Sequence, residues 1–165
     1  MKINKPITQI LFVCIGNICR SPFAQRLFTK LADQGGHKGF HADSAGLLAL
    51  PGNAAPFLAQ KAAAEYGVDL ADHRAKPVSG KLVHRSDLIL VMEESHKVAI
   101  LEEFPGASDK TFLIRSFARF GSKDRGVADP YGLEFEAYRF CYLDIEDAVS
   151  GLLNQLLKLR DIQAG

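Results

Sequence analysis

Eight consecutive residues, Cys14, Ile15, Gly16, Asn17, Ile18, Cys19, Arg20 and Ser21, combine the side chains from which a nucleophilic anion site is built. An arginine offers a planar fork of donors that matches two oxygens of a phosphoryl group, whereas a lysine would be only a point charge. A thiol at the head of such a loop faces backbone N–H groups and a guanidinium, surroundings that stabilise a thiolate and make it nucleophilic near neutral pH. Gly16 and Asn17 are residue types that tolerate the left-handed backbone such a nest of amides requires. Ser21 carries a hydroxyl placed either to cap a following helix or to reach the Cys14 sulfur. A lone cysteine at a strand end is more often a small buried hydrophobe. The conjunction of Cys, Gly-Asn and Arg-Ser-Pro in one register is what points to in-line attack by sulfur on phosphorus.

Such a loop needs a strand before it and a helix after it. Ile7 to Val13 is β-branched, aromatic and almost continuously apolar, the pattern of a strand covered on both faces. From Pro22 onward Phe23, Leu27, Phe28 and Leu31 recur at a helical period, with Ser21 in the N-cap position, Pro22 opening the helix and Gly35-Gly36 closing it. Phe40 to Ser44 reads as a second strand, followed by a Gly/Pro loop from Gly46 to Gly52 and a helix from Ala54 to Tyr66 stopped by Gly67. Asp87 to Met92 and Lys110 to Ile114 read as further strands, Ser95 to Phe104 and Leu133 to Leu159 as helices. Arg115 to Gly132 is left as a long polar loop of the kind that carries function. Strands alternating with helices predict an open parallel sheet with helices on both faces, and such sheets place ligands outside the carboxyl ends of their strands. Cys141 reads as a core residue of the last helix, and His84 and His96 as surface residues.

Composition narrows the choice of chemistry. The 165 residues suit one domain, expected to span 1–165, and 47% apolar with 24% charged side chains is ordinary for a packed soluble protein. Twenty Lys and Arg against nineteen Asp and Glu leave a formal charge of +1, so no global field draws the chain to nucleic acid or to an anionic membrane. The apolar run Ile10 to Ile15 is far too short to span a bilayer. Three cysteines in a chain of this length fit a reducing compartment, and the expected location is cytoplasmic. Cys14 and Cys19 lack zinc-finger spacing, the five histidines are scattered, and no Walker loop or G-x-G-x-x-G appears. No metal, cofactor or nucleic-acid partner is expected.

The run V-C-I-G-N-I-C-R-S-P, followed far downstream by Asp129-Pro130-Tyr131, resembles the low-molecular-weight protein tyrosine phosphatase family. Further landmarks in matching order are Asp43-Ser44-Ala45-Gly46, His73 with Ala75, and Asp87 to Met92. The resemblance implies a four-stranded parallel sheet flanked by helices, the phosphotyrosine phosphatase I-like, flavodoxin-like fold. It implies Cys14 as nucleophile, Arg20 as phosphate clamp and Asp129 as general acid. Residues 15–19, Ser21 and Tyr131 would line the substrate site, and Asn17, Ser21, Ser44 and His73 would hold the loop in shape. A carboxylic acid that protonates the leaving tyrosyl oxygen contributes about 10²–10⁴-fold, and its carboxylate then accepts a proton from the hydrolytic water. Activity is expected to be acid-shifted, since the thiol must be ionised while the acid is protonated. Cys19 is a candidate for a protective disulfide with Cys14, or equally a space-filling residue beneath the loop.

The chain departs from the family at Gly132, where some members have a second tyrosine, at Leu47 to Leu50, where some have an aromatic, and at Lys76, where an arginine is frequent. Two other chemistries occur on related loops. Arsenate reduction coupled to thioredoxin needs a separate downstream cysteine pair, and only Cys141 lies beyond the loop. Protein-arginine phosphatases are associated with a threonine at the position held here by Ile18, whose branched apolar side chain suits an aryl wall. The partner implied is a tyrosine-phosphorylated protein, with a bacterial tyrosine kinase as the case suggested by analogy, acted on by a monomer or weak dimer.

Overall fold

The computed structural model describes residues 5–165. Its centre is β1 (Gln9–Cys14), whose side chains alternate between two cores: Ile10, Phe12 and Cys14 enter one, Leu11 and Val13 the other. Burial on both faces is why this strand is apolar throughout. Around it stand β2 (His41–Gly46), β3 (Leu88–Val91) and β4 (Thr111–Leu113), all parallel, in the order β2-β1-β3-β4. The four-stranded parallel α/β architecture expected from the alternating pattern is therefore the one found.

Helices α1 (Arg20–Gln34), α2 (Phe57–Ala64) and α5 (Phe135–Ala164) cover one face. There Phe23 of α1 stacks on Tyr142 of α5 with ring centroids 3.8 Å apart, a pair of the kind that adds about 0.5–1.5 kcal/mol beyond area burial. Helices α3 (Gly80–Arg85) and α4 (Glu94–Glu103) cover the other face through Leu82, Val83 and Ile100. No helix among the described residues is long and apolar enough to cross a membrane.

Several elements differ from their sequence expectation for physical reasons. Helix α1 begins at Arg20 with Cys19 in the cap position and no side-chain cap, so Ser21 does not cap it. The second helix starts at Phe57 because Pro56, with φ −57° and ψ 153°, holds the chain extended just before it. Helix α3 was not expected; Ser79 caps it by accepting from Leu82 N–H at 3.2 Å. His96 is buried in α4 rather than exposed. Cys141 lies in the core as expected, and His84 is exposed.

The long segment after β4 opens with a 3₁₀ turn, Ile114–Phe117, and is pinned to α5 by charge pairs. Buried Arg115 donates to Asp147 Oδ2 at 3.1 Å and to the Phe120 and Ser122 carbonyls at 2.8 and 3.0 Å. Arg119 Nε reaches Asp147 Oδ1 at 3.1 Å, and Arg125 grips both Asp144 oxygens at 2.7 and 2.8 Å. Residues 119–125 are thus held against α5. Since all strands run the same way, this loop and those following β1, β2 and β3 share one edge.

Candidate active site

Between β1 and α1 the loop must turn sharply, and the turn falls at Asn17, whose φ of 53° is the left-handed conformation that asparagine tolerates. Gly16 does not have positive φ, so of the pair expected to supply that conformation only Asn17 does. Gly46, at the end of β2, is demanded by a close approach: a Cβ there would meet the Ile15 carbonyl oxygen at 2.5 Å and Asn17 N at 2.9 Å.

Asn17 is fully buried and organises the loop. Its Oδ1 accepts from the Lys76 backbone N–H at 3.0 Å, which fixes the orientation of the amide. Its Nδ2 then donates to Ser21 Oγ and to Ser44 Oγ, each at 2.9 Å. Ser44 Oγ in turn donates to Gln25 Oε1 at 2.6 Å. His73 Nε2 donates to the Asn17 carbonyl at 2.6 Å. Burial pushes the His73 imidazole below its ordinary range, consistent with a neutral ring that donates from one nitrogen. Ser21 Oγ, which accepts from Asn17, also stands 2.9 Å from Cys14 Sγ, so its hydroxyl can donate to a sulfur that carries charge.

Arg20, at the first turn of α1, is buried and held along one edge. Its Nη1 donates to Glu93 Oε2 at 2.8 Å and to the Val127 carbonyl at 2.9 Å. Its Nη2 lies 3.5 Å from Asp129 Oδ2. Burial opposes the Arg20 charge, but the bond to Glu93 and the nearby Cys14 and Asp129 raise its pKa further, so it stays cationic. Asp129 is half-exposed and shaped by a local turn in which Tyr131 N–H donates to Asp129 Oδ1 at 3.1 Å. Val127 N–H donates to the Met92 carbonyl at 2.8 Å, strapping this loop to the end of β3.

These groups converge on a cavity of about 190 Å³ lined by Cys14, Ile15, Gly16, Ile18, Cys19, Arg20, Asp129 and Tyr131. A wider groove of about 390 Å³ between Glu65, Tyr66, Arg139 and Phe140 has no thiol among its lining residues. In the smaller cavity a thiol, a guanidinium and a carboxyl group face one volume, the set needed to transfer a phosphoryl group to sulfur and protonate what leaves. Cys19 shares this cavity, but burial pushes its thiol up to about 12, so at neutral pH it is a protonated thiol. Its carbonyl accepts from Tyr142 O–H at 2.8 Å, tying the loop to α5. Among the described residues no group of three or more His, Cys, Asp and Glu stands close enough to hold a metal ion.

The structure thus brings Cys14, Arg20, Asp129 and Tyr131 to one cavity and Asn17, Ser21, Ser44 and His73 to one network beneath it. Sequence reasoning missed Glu93, Val127 and Gln25. The available signal for Glu93 was its position, a carboxylate directly after a fully apolar strand, on the edge where ligands sit.

Known proteins place the chain in a family. Residues 9–161 match the model for low molecular weight phosphotyrosine protein phosphatase. A probable low molecular weight protein-tyrosine-phosphatase, EpsP, of Ralstonia nicotianae is 39% identical over 80% of this chain and 84% of its own length. A protein-arginine-phosphatase of Geobacillus stearothermophilus is 34% identical over 90% of this chain and 95% of its own. The crystal structure of the Erwinia amylovora tyrosine phosphatase AmsI superposes with a TM-score of 0.83 at 34% identity, covering 94% of this chain and 97% of that one. The chain belongs to the low molecular weight phosphotyrosine protein phosphatase family.

Proposed function

We propose that this protein hydrolyses phosphotyrosine in proteins through a cysteinyl-phosphate, with Cys14 as nucleophile, Arg20 as phosphate clamp and Asp129 as general acid and base. The observation that carries this reading is the convergence of Cys14, Arg20 and Asp129 on a single cavity. In the first step Cys14 Sγ forms a bond to phosphorus as the bond to the tyrosyl oxygen breaks, and Asp129 gives that oxygen its proton. In the second, Asp129 takes a proton from water, the water oxygen bonds to phosphorus, and the sulfur leaves as thiolate with inorganic phosphate released. Arg20, fixed along its Nη1 edge, has Nη2 directed toward the cavity to meet charge on the equatorial oxygens without reorganising.

The test is trapping. Asp129→Ala is expected to lower kcat by about 10²–10⁴-fold and to let phosphorus accumulate on Cys14, detected by mass spectrometry after acid quench. A Cys14→Ser protein that turned over at the wild-type rate would eliminate the mechanism.

A second reading, dephosphorylation of phosphoarginine, is favoured by the similarity to a named protein-arginine-phosphatase. Against it stands Ile18, which lines the cavity with a branched apolar surface beside Tyr131. That wall suits an aryl ring better than a guanidinium, which would lose hydrogen bonds against it. Side-by-side assays on phosphotyrosyl and phosphoarginyl peptides are expected to favour the former, and Ile18→Thr to shift the ratio toward the latter.

The partner we propose is a tyrosine-phosphorylated protein, with a bacterial tyrosine kinase as the first to test. A monomer or weak dimer acting in the cytoplasm fits the three free cysteines, since a reducing compartment keeps Cys14 able to attack.

A further inference from the structure

His96 is the most unusual buried polar residue near the site. It sits in the first turn of α4, 1% exposed, and neither ring nitrogen has a well-aligned hydrogen bond. An imidazole buried in this way costs stability, so packing alone does not account for it. Its Nε2 lies 3.2 Å from Glu93 Oε2, the same oxygen that accepts from Arg20 Nη1 at 2.8 Å. Glu93 occupies the N-cap position of α4, yet makes no capping bond; its carboxylate points to Arg20 and His96 instead. Burial and the Arg20 charge both push the His96 imidazole below its ordinary range, leaving a neutral ring with one N–H to give.

We infer that His96 is a positioning residue, whose Nε2–H engages the Glu93 carboxylate and so fixes the Arg20 guanidinium against the bound phosphoryl group. Hydrogen bonds of this kind are often poorly aligned in an empty site and tighten when the ligand arrives. As Arg20 closes on an anion, a small rotation of Glu93 brings Oε2 into line with Nε2–H. The carboxylate then has donors from both sides and can hold the guanidinium edge in only one orientation. This inference rests on Arg20 being the phosphate clamp.

The experiment measures kcat/KM on a phosphotyrosyl peptide and competitive inhibition by inorganic phosphate for wild type, His96→Leu, Glu93→Ala and the double variant. His96→Leu is expected to lower kcat/KM about tenfold and weaken phosphate inhibition about fivefold. In the Glu93→Ala background, which has no side-chain acceptor at position 93, the same substitution is expected to change either by less than twofold, because its route to Arg20 is already cut. His96→Gln, which retains a donor, is expected to recover most of the phosphate inhibition. Equal losses from His96→Leu in both backgrounds, or none in either, would overturn the inference. A second measurement needs no substitution: ¹⁵N NMR of the wild-type imidazole is expected to place the proton on Nε2, and a proton on Nδ1 would equally overturn it. Failure of the wild type to hydrolyse the peptide or to bind phosphate would instead refute the phosphatase reading.

Discussion

Asn17 combines a backbone role and a side-chain role that no other residue type reproduces. Its left-handed φ turns the loop, and its amide accepts from Lys76 while donating to Ser21 and Ser44. Asn17→Ala removes all three bonds and places a Cβ-bearing residue without local compensation at φ 53°. A loss of about 3 kcal/mol is expected in urea unfolding, from the unpaired buried groups and the backbone cost together. Asn17→Asp separates the two roles, since aspartate tolerates the turn and accepts from Lys76 but cannot donate to Ser21. The Ser21 hydrogen would then turn to the new carboxylate and leave the sulfur. Peptide hydrolysis is expected to show a kcat/KM at least about tenfold lower for this variant, the cost of one charge-assisted bond. An unchanged value would mean that the direction of the network does not matter to sulfur.

Helix α5 shows how an apparent breaker can be a packing requirement. Gly151 stands in the middle of its thirty residues, where glycine costs about 1 kcal/mol relative to alanine. A Cβ at this position would meet the Phe117 carbonyl oxygen at 1.9 Å, so the 3₁₀ turn that opens the Asp129 loop can pack there only against glycine. Gly151→Ala is therefore expected to destabilise by about 2 kcal/mol despite the better propensity, a fall of roughly 4–8 °C in Tm by calorimetry. The sequence registers Gly151 only as a weak point in a helical period, because the contact that explains it comes from a segment distant in the chain. The same limit accounts for the other misreadings. β1, β3 and α1 were legible because their patterns are local and strong. Helix α3 was not, since only Leu82 and Val83 face the core among charged neighbours. The cysteine loop announced itself by its order of residue types, whereas Glu93 meets Arg20, and His96 stands against Glu93, only once the fold brings together segments some seventy residues apart.

At the scale of the molecule, electrostatics is local rather than global, as a formal charge of +1 requires. Asp87 ties the approach to β1 onto the start of β3 by accepting from Thr8 N–H and Gln9 N–H at 3.0 and 2.9 Å, from the Thr8 hydroxyl at 3.0 Å, and by pairing with Lys5 at 2.8 Å. Burial alone would raise its pKa, but the Lys5 ammonium and these donors bring it down to about 2. A depressed carboxylate stabilises the fold fully above its unfolded value of about 3.9, and that contribution disappears as pH falls through about 2. Asp87→Asn is accordingly expected to cost about 2 kcal/mol at pH 7, with the unfolding curves of the two proteins converging near pH 2.

The bond from Val127 to the end of β3, together with the arginine pairs along α5, carries a dynamic consequence. Enzymes that bring their acid in on a swinging flap wait for that flap on each cycle. Here Val127, two residues before Asp129, is already bonded at the end of the sheet that carries Cys14, so the carboxyl group lines the cavity before a phosphorylated side chain enters.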